Sequence, residues 1–424
     1  MARKKKQKEE IPMQRLTAVA KVVNLNDQDA LLLGLLGFSG TKLWNVTNHY
    51  RRIAWNETGK IPGFSDQCRE MKSNRWHKLL PSQSSQEILG EQDDSYRSWF
   101  SHRKNGNKLA KPPGFRKKSI LSTITFKQNA FEILSDNQVK LNLPKTYDRR
   151  KITLEYHLPP DVALGKVQQV KLIYKPRSGE WYLHINYKVP VKYREAGNVM
   201  ALDLGMINIV AGLLTNGFSF IVPGGELLAI DRYFQKEKAK CTKSTSRHCM
   251  ELNIKWGLQR RHYLHVLTKW LVNLAVDRNV STIVVGELKG IRIDKDWGDK
   301  SNQKLHAWPF NKIIELLTYK AALVGIRVVK VSERNTSTTC PICGKRVKKA
   351  RIHRGLFVHC GKAFNADLVG AYNILLRYLR ETGSRSCPDW SGIVGALARP
   401  AVNLFVWRKT TPLGREQGTF RQVS

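Results

Sequence analysis

The chain has 424 residues, and its 72 Lys plus Arg against 34 Asp plus Glu leave a net charge of +38. Hydrophobic residues make up 42% and aromatic residues 9%, too many for a disordered chain. A compact body with that excess repels itself, which argues against a small neutral molecule as its only partner and points to a polyanion.

No apolar run approaches the roughly 20 residues of a membrane span. The best, ALLLGLLGF at 30–38, reads as one buried helix. The opening cluster ARKKKQKEE has no apolar segment behind it, so it reads as a solvated basic tail and not as a secretory signal. Seven cysteines stand at Cys68, Cys241, Cys249, Cys340, Cys343, Cys360 and Cys387. An odd, sparse set fits a reducing cytoplasm better than a disulfide framework.

In chain order, residues 14–24 alternate and read as a first strand behind the tail, closing a segment 1–26. From 27 to 118 the pattern turns helical. Leu43, Trp44, Val46, Tyr50 and Ile53 recur at helical spacing, as do Ile88, Tyr96, Trp99 and Phe100. The segment closes on KLAKPPGFRKK, where two prolines stop helix. Over 119–197 the period changes. LSTITFK, AFEIL, QVKLNL, KITLEYH, VQQVKLIYK and WYLHINYKV read as six short strands, a small β-barrel whose sheet edge the first strand joins.

A third region starts near Gly197. VMALDLG is an apolar strand ending in a carboxylate. IVAGLL and FSFIVPGG flank Asn216-Gly217, a strong hairpin signal. A long helix over about 249–279, strand STIVVGE, helix WPFNKIIELLTYKAALVG and strand IRVVKVSE follow. Three antiparallel strands and then helix-strand-helix-strand is the order of an RNase H-like α/β domain.

Two acids end apolar strands, Asp203 and Glu287. A third, Asp367, opens the apolar helical run in FNADLVGAYNILL. Each alone reads as a turn residue or helix cap. Together, at one sheet rim, three carboxylates can hold two divalent metals, and hard oxygen donors suit Mg²⁺. The cysteine motif CPICG, Cys340 and Cys343, is a zinc-knuckle half-site. Its second half is irregular. RIHRGLFVHCGKAF supplies Cys360 with His353 and His359 nearby. Adjacent ligands at 359 and 360 are strained, so His353 is the geometrically easier fourth ligand, with His359 as the alternative. An empty, degenerate site is the competing reading. Cys68, Cys241, Cys249 and Cys387 have no ligand spacing.

Taken as a series, ALDLGMINIVAG, VVGELKG, HAWPFNKIIELLTYKAALVGIRVVKV, SERNTSTTCPICG and FNADLVGAYNIL resemble TnpB, the transposon-encoded RNA-guided nucleases ancestral to type V CRISPR effectors. The match is strong over 198–378. It is weaker over LPSQSSQEILGEQDDSYRSWF and KPPGFRKK.

The resemblance implies an α+β multidomain fold. A helical recognition lobe (27–118) is inserted in a wedge β-barrel (119–197). A RuvC nuclease domain (198–334) follows, with a zinc-finger-like insertion (335–365) and a last RuvC motif (366–380) before a tail (381–424). It implies that Asp203, Glu287 and Asp367 hold catalytic Mg²⁺, and that Zn²⁺ sits in the finger. The implied partners are a guide RNA, double-stranded target DNA and the guide–target heteroduplex. Gln86, Lys127 and Gln128 fall where the family reads the short motif beside the target. The implied setting is a prokaryotic cytoplasm, at the nucleoid. Two departures stand out: the second zinc half lacks a Cys-x-x-Cys, and Ala366 precedes the last Asp where many relatives have Arg.

The leading expectation is thus an RNA-guided, Mg²⁺-dependent DNA endonuclease. A guided DNA-binding repressor without cleavage is the second reading, separated from the first by cutting against binding of one plasmid library. A guide-independent transposase is the third, tested by activity after RNA removal. A compact type V CRISPR effector shares the first reading's chemistry, and a neighbouring repeat array or transposon end separates the two.

Overall fold

A computed structural model describes residues 12–158, 162–176, 178–287, 308–347, 349–353, 355–383, 390–402, 404–405 and 407. The basic N-terminal cluster, the turn Leu288–Gly290 of VVGELKG and Cys387 lie outside the described residues. The chain divides into two units, Met13–Pro190 and the remainder.

In the unit Met13–Pro190, the alternating runs form strands β1 (Met13–Val23), β2 (Ile124–Lys127), β3 (Phe131–Ser135), β4 (Gln138–Asn142), β5 (Lys151–His157), β6 (Lys166–Lys175) and β7 (Glu180–Pro190). They make one seven-stranded sheet in the order β2-β6-β7-β1-β5-β4-β3, with antiparallel pairing throughout. The expected closed barrel is an open, curled sheet. The edge strands β2 and β3 are joined by the three-residue 3₁₀ turn Gln128–Ala130, so the sheet must curl to bring its two edges together there. The first strand is not at an edge. β1 lies between β7 and β5, because its small, alternating Ala18 and Ala20 face the core.

Between β1 and β2 come helices α1 (Asp27–Thr58), α2 (Phe64–Met71), α3 (Arg75–Lys78) and α4 (Ser82–Lys104). Asn26 caps α1 by accepting from the Asp29 amide at 2.8 Å, and Gly59 ends it with φ +67°. Leu33, Leu36 and Leu43 of α1 share a core with Ile88 and Leu89 of α4. Buried Arg51 is held by Asp93 across that interface at 2.7 Å. The proline-rich segment then runs back along α1. Trp44 Nε1 donates to the Gly114 carbonyl at 3.1 Å, Asn48 to Pro113 at 3.1 Å, and Asn45 both donates to and accepts from Arg116. These bonds satisfy a backbone that has no regular partner.

The second unit is built on strands β8 (Asn198–Asp203), β9 (Asn208–Leu214), β10 (Ser219–Pro223), β11 (Val280–Glu287) and β12 (Arg327–Ser332). The order is β12-β11-β8-β9-β10, with β8, β9 and β10 antiparallel and β11 and β12 parallel to β8. This is the strand arrangement of RNase H-like domains, as the order of elements in the sequence anticipates. The Asn216-Gly217 turn closes the β9–β10 hairpin, with Gly217 at φ +82°.

Helices α5 (Gly225–Ala239), α6 (Arg247–Asp277) and α7 (Phe310–Leu323) cover one face, and α8 (Ala366–Glu381) covers the other. The strands are buried on both sides, so alternate residues feed two separate cores. Met200, Leu202, Ile283 and Val285 pack with Leu267, Leu271, Ile313 and Leu317. Ala201, Val284 and Val331 pack with Leu368, Ala371 and Leu375 of α8.

Before α8 lies a three-stranded hairpin sheet of β13 (Arg351–His353), β14 (Leu356–His359) and β15 (Lys362–Asn365). After it come the short helix α9 (Trp390–Ala396) and a sixth strand, β16 (Ala401–Val402), parallel to β10. Phe405 then packs against Tyr263 and Trp270 at ring-centroid distances of 5.8 and 5.5 Å. Part of the tail therefore belongs to the core of the second unit.

Candidate active site

Asp203 is the last residue of β8 and shares a face with Ala201, the face covered by α8. Its carboxylate lies directly beneath Gly370 of α8, where an added Cβ would come 2.2 Å from Oδ2. The glycine is what lets the helix close over an acid. Burial, then the negative Asp367 nearby, pushes the Asp203 carboxyl up to about 7, against a smaller opposite pull from Arg351.

Asp367 sits in the first turn of α8, but it is not the cap. Asn365 Oδ1 accepts from the amides of Asp367 and Leu368 at 3.0 and 3.2 Å. The Asp367 carboxylate is thereby free for other partners. Its Oδ1 accepts from Arg351 Nη2 at 2.6 Å and its Oδ2 from Asn208 Nδ2 at 2.7 Å. Arg351 and Asn208 were not singled out in the sequence, because neither stands near Asp367 along the chain.

Glu287 ends β11 and is exposed. In the β8–β11 register Val285 pairs with Leu202, so the rung beside Asp203 is Gly286 and Glu287 comes one step further. The structure thus brings Asp203 and Asp367 close together and sets Glu287 at the neighbouring strand end. A second acid lies on the Asp203 face. Glu333, just beyond β12, is pushed up to about 8 by burial and then by Asp203. The acids at this rim offer hard oxygens, and neighbouring negative charge adds to burial in raising Asp203 and Glu333. Oxygens of this kind are what a hard divalent cation takes, and Asp203 and Asp367 are the pair here that would hold one, although among the described residues no three acids lie within one coordination sphere.

The second cluster is sulfur-rich. Cys340, Cys343, His359 and Cys360 offer ligand atoms that all lie within 4.8 Å of one another. Cys340 Sγ is 4.0 Å from Cys360 Sγ, and His359 Nδ1 is 3.6 Å from Cys343 Sγ and 3.1 Å from Cys360 Sγ. A zinc tetrahedron with Zn–S of about 2.3 Å requires edges of this size. The Cys340–Gly344 turn is a tight knuckle, with the Gly344 amide donating to the Cys340 carbonyl at 3.0 Å and the Ile342 amide facing Cys340 Sγ at 3.4 Å.

His353, the expected fourth ligand, is exposed on β13 and is not in this group. The expectation failed because it assumed ordinary backbone at residue 360. Cys360 is left-handed, φ +52°, and Gly361 follows at +71°. That reversal turns two consecutive side chains to one point. Desolvation and the neighbouring thiols push Cys360 up to about 11, a crowding that a bound cation relieves.

In the other unit, Gln86 is exposed on α4, Gln128 is exposed after β2, and Lys127 is half-buried at the end of β2. Ser84 stitches the start of α4 to β2, donating to the Thr125 carbonyl at 2.6 Å, and Lys127 pairs with Glu87. The fold brings these three positions into one neighbourhood, with Lys127 already engaged by a carboxylate.

Residues 184–292 match a family model described as a probable transposase, and residues 310–374 match the Cas12f1-like TNB domain. This chain is similar to TnpB-like proteins and to Cas12f1. It is 25% identical over 412 residues to a TnpB-like protein of Acidianus two-tailed virus, covering 85% of this chain and 86% of that one. It is 27% identical over 219 residues to a TnpB-like protein of Methanocaldococcus jannaschii, covering 49% of this chain and 78% of the relative.

With the CRISPR-associated endodeoxyribonuclease Cas12f1 of Sulfoacidibacillus thermotolerans the identity is 24% over 231 residues, 50% of this chain and 53% of that protein. The chain therefore matches about half the length of that nuclease. The cryo-EM structure of a Cas12f1–sgRNA–target DNA complex superposes with a TM-score of 0.58 at 15% identity, covering 82% of this chain and 83% of that one. That likeness is one of fold. Among the described residues, no helix is long and apolar enough to cross a membrane.

Proposed function

We propose that this chain is an RNA-guided DNA endonuclease that hydrolyses target phosphodiesters at the rim formed by Asp203, Glu287 and Asp367. The observation that carries the reading is Asp203, a half-buried strand-end acid held under Gly370 and beside Asp367 in a sheet of RNase H-like order. Asp203 and Asp367 would hold Mg²⁺ jointly, with Glu287 at the neighbouring strand end. Bound there, Mg²⁺ supplies a nucleophilic hydroxide from water and neutralises charge on the leaving oxygen. Asp203 contributes its charge from a desolvated position where electrostatic effects are strong. Asn208 orients Asp367 by holding one of its oxygens. Arg351, which pairs with Asp367 at 2.6 Å, would have to give up that carboxylate for a cation to bind there, and its guanidinium would then be open to a phosphate.

Guide RNA and the guide–target duplex are the partners of the +38 charge, through backbone contacts that carry no sequence information. Gln86, Lys127 and Gln128 read the target-adjacent motif, with Lys127 exchanging Glu87 for DNA. The Cys340, Cys343, His359 and Cys360 group holds Zn²⁺ and ties β14 to the knuckle.

The testing experiment incubates the full chain with its guide and a plasmid library. Asp203→Ala is expected to lower cutting by about 100- to 1,000-fold or more, as loss of a charge-stabilising group does, with guide and target binding intact. Cutting at the wild-type rate would refute the site. A second reading, guided binding without cleavage, has one observation in its favour: Arg351 and Asn208 already occupy both Asp367 oxygens. Retained binding with no cutting by the wild-type chain at millimolar Mg²⁺ would select it.

A further inference from the structure

The strand alternation separates the acids of the rim. Asp203 follows Ala201 by two, Gly286 follows Val284 by two, and Glu333 follows Val331 by two. Ala201, Val284 and Val331 all belong to the core beneath α8. Glu287 instead follows Ile283 and Val285, which belong to the opposite core. On the Asp203 face, the rung of β11 beside the acid is therefore a glycine.

Glu333 fills the space that glycine leaves. An added Cβ at Gly286 would lie 1.9 Å from Glu333 Oε1 and 2.4 Å from its carboxyl carbon. The carboxylate thus rests on the Gly286 backbone, on the same face as Asp203 and close enough to be raised by its charge. Among the described residues, Glu333 Oε1 is buried and has no hydrogen-bond partner. A buried carboxylate oxygen without a donor is costly in a folded protein. Here the charge that acts on it is another acid, so no described residue repays that cost, and a cation would.

We propose that Glu333 is a fourth carboxylate of the acid rim and, paired with Asp203, holds a divalent cation there. The proposal rests on the nuclease reading above and extends it by one ligand. It assigns to Gly286 a role as well: the missing side chain is the seat of the Glu333 carboxylate.

The test is Mn²⁺ binding to the full, zinc-loaded chain without RNA, read by the loss of free-Mn²⁺ paramagnetic signal. Wild type, Glu333→Gln, Gly286→Ala, Asp203→Asn and the distant control Glu57→Gln are compared. Glu333→Gln is expected to weaken Mn²⁺ binding by about tenfold or more, and to raise the Mg²⁺ needed for half-maximal cutting by a similar factor. Gly286→Ala keeps the carboxylate but displaces it, and is expected to do the same, which guards against a variant that merely misfolds. Glu57→Gln should match wild type. If Glu333→Gln and Gly286→Ala bind Mn²⁺ as wild type does while Asp203→Asn does not, Glu333 is no ligand and the nuclease reading stands. If wild type neither binds Mn²⁺ nor cuts, the nuclease reading fails and takes this proposal with it.

Discussion

The two candidate metal centres of this chain are built in opposite ways. The sulfur-rich group is local. Its four residues fall within 340–360, on one knuckle and one hairpin end. The acid rim is assembled from β8, β11, the end of β12 and α8, residues far apart in the chain. The local centre owes its geometry to backbone conformation, above all to the left-handed Cys360. The distributed centre owes its geometry to sheet register and to two glycines, Gly286 and Gly370, that let carboxylates approach where side chains would block them. The difference teaches where each is fragile: the first to a change of ligand or turn, the second to a change of packing.

The sharpest way to break the local centre is to remove a thiolate. Cys360→Ser is expected to drop zinc content from near one per chain to well below one. Its unfolding midpoint should fall by several degrees, about 2–4 °C per kcal/mol lost in a domain of this size. Elemental analysis and a thermal scan check both. His353→Ala should leave both unchanged, since His353 lies outside the cluster.

Gly370→Ala attacks the distributed centre through packing. Its Cβ must displace Asp203 or lift α8, costing about 1–3 kcal/mol as overpacking does. The expected result is a lower unfolding midpoint together with weaker Mn²⁺ binding. A normal midpoint with normal binding would show that α8 can shift freely.

The smallest expected effect is a pH slope. Asp203 and Glu333 are pushed up to about 7 and about 8 in the folded, metal-free chain. Their unfolded values are near 4. Between those limits the folded state holds protons that the unfolded chain releases, so stability falls as pH rises from about 4 to about 8. In the presence of chelator the unfolding midpoint should decline across that window. Asp203→Asn should flatten the decline, and Mg²⁺ should abolish it. A slope unaffected by Asp203→Asn would mean that the rim is better solvated than its burial implies.

The sequence was most informative where a short stretch carried its own pattern. The Asn216-Gly217 hairpin, the alternating strands of the first unit and the CPICG knuckle are all set by neighbours a few residues apart. Asp203, Glu287 and Asp367 could be picked as strand-end and helix-start acids for the same reason. The closure of the barrel could not be read, because strand periodicity reports which face is buried and not which edges pair. β1 was assigned to an edge for the same reason, whereas its place is between β7 and β5. α5 carries a helical pattern of its own, with Leu227, Ile230 and Phe234 at i, i+3 and i+7, whereas the packing of Phe405 against Tyr263 and Trp270 joins residues far apart in the chain and leaves no local signal.

The sequence by itself determined the class of this protein: a strongly basic chain with an RNase H-like order of elements, three placed acids and one zinc half-site. The tertiary structure decided which residues meet. Arg351 and Asn208 reach Asp367, His359 replaces His353, and Glu333 comes to rest beside Asp203 over a glycine. The physical reason is that residue type and short-range period travel with the chain. Register, helix approach and a single left-handed residue are settled only when distant segments pack.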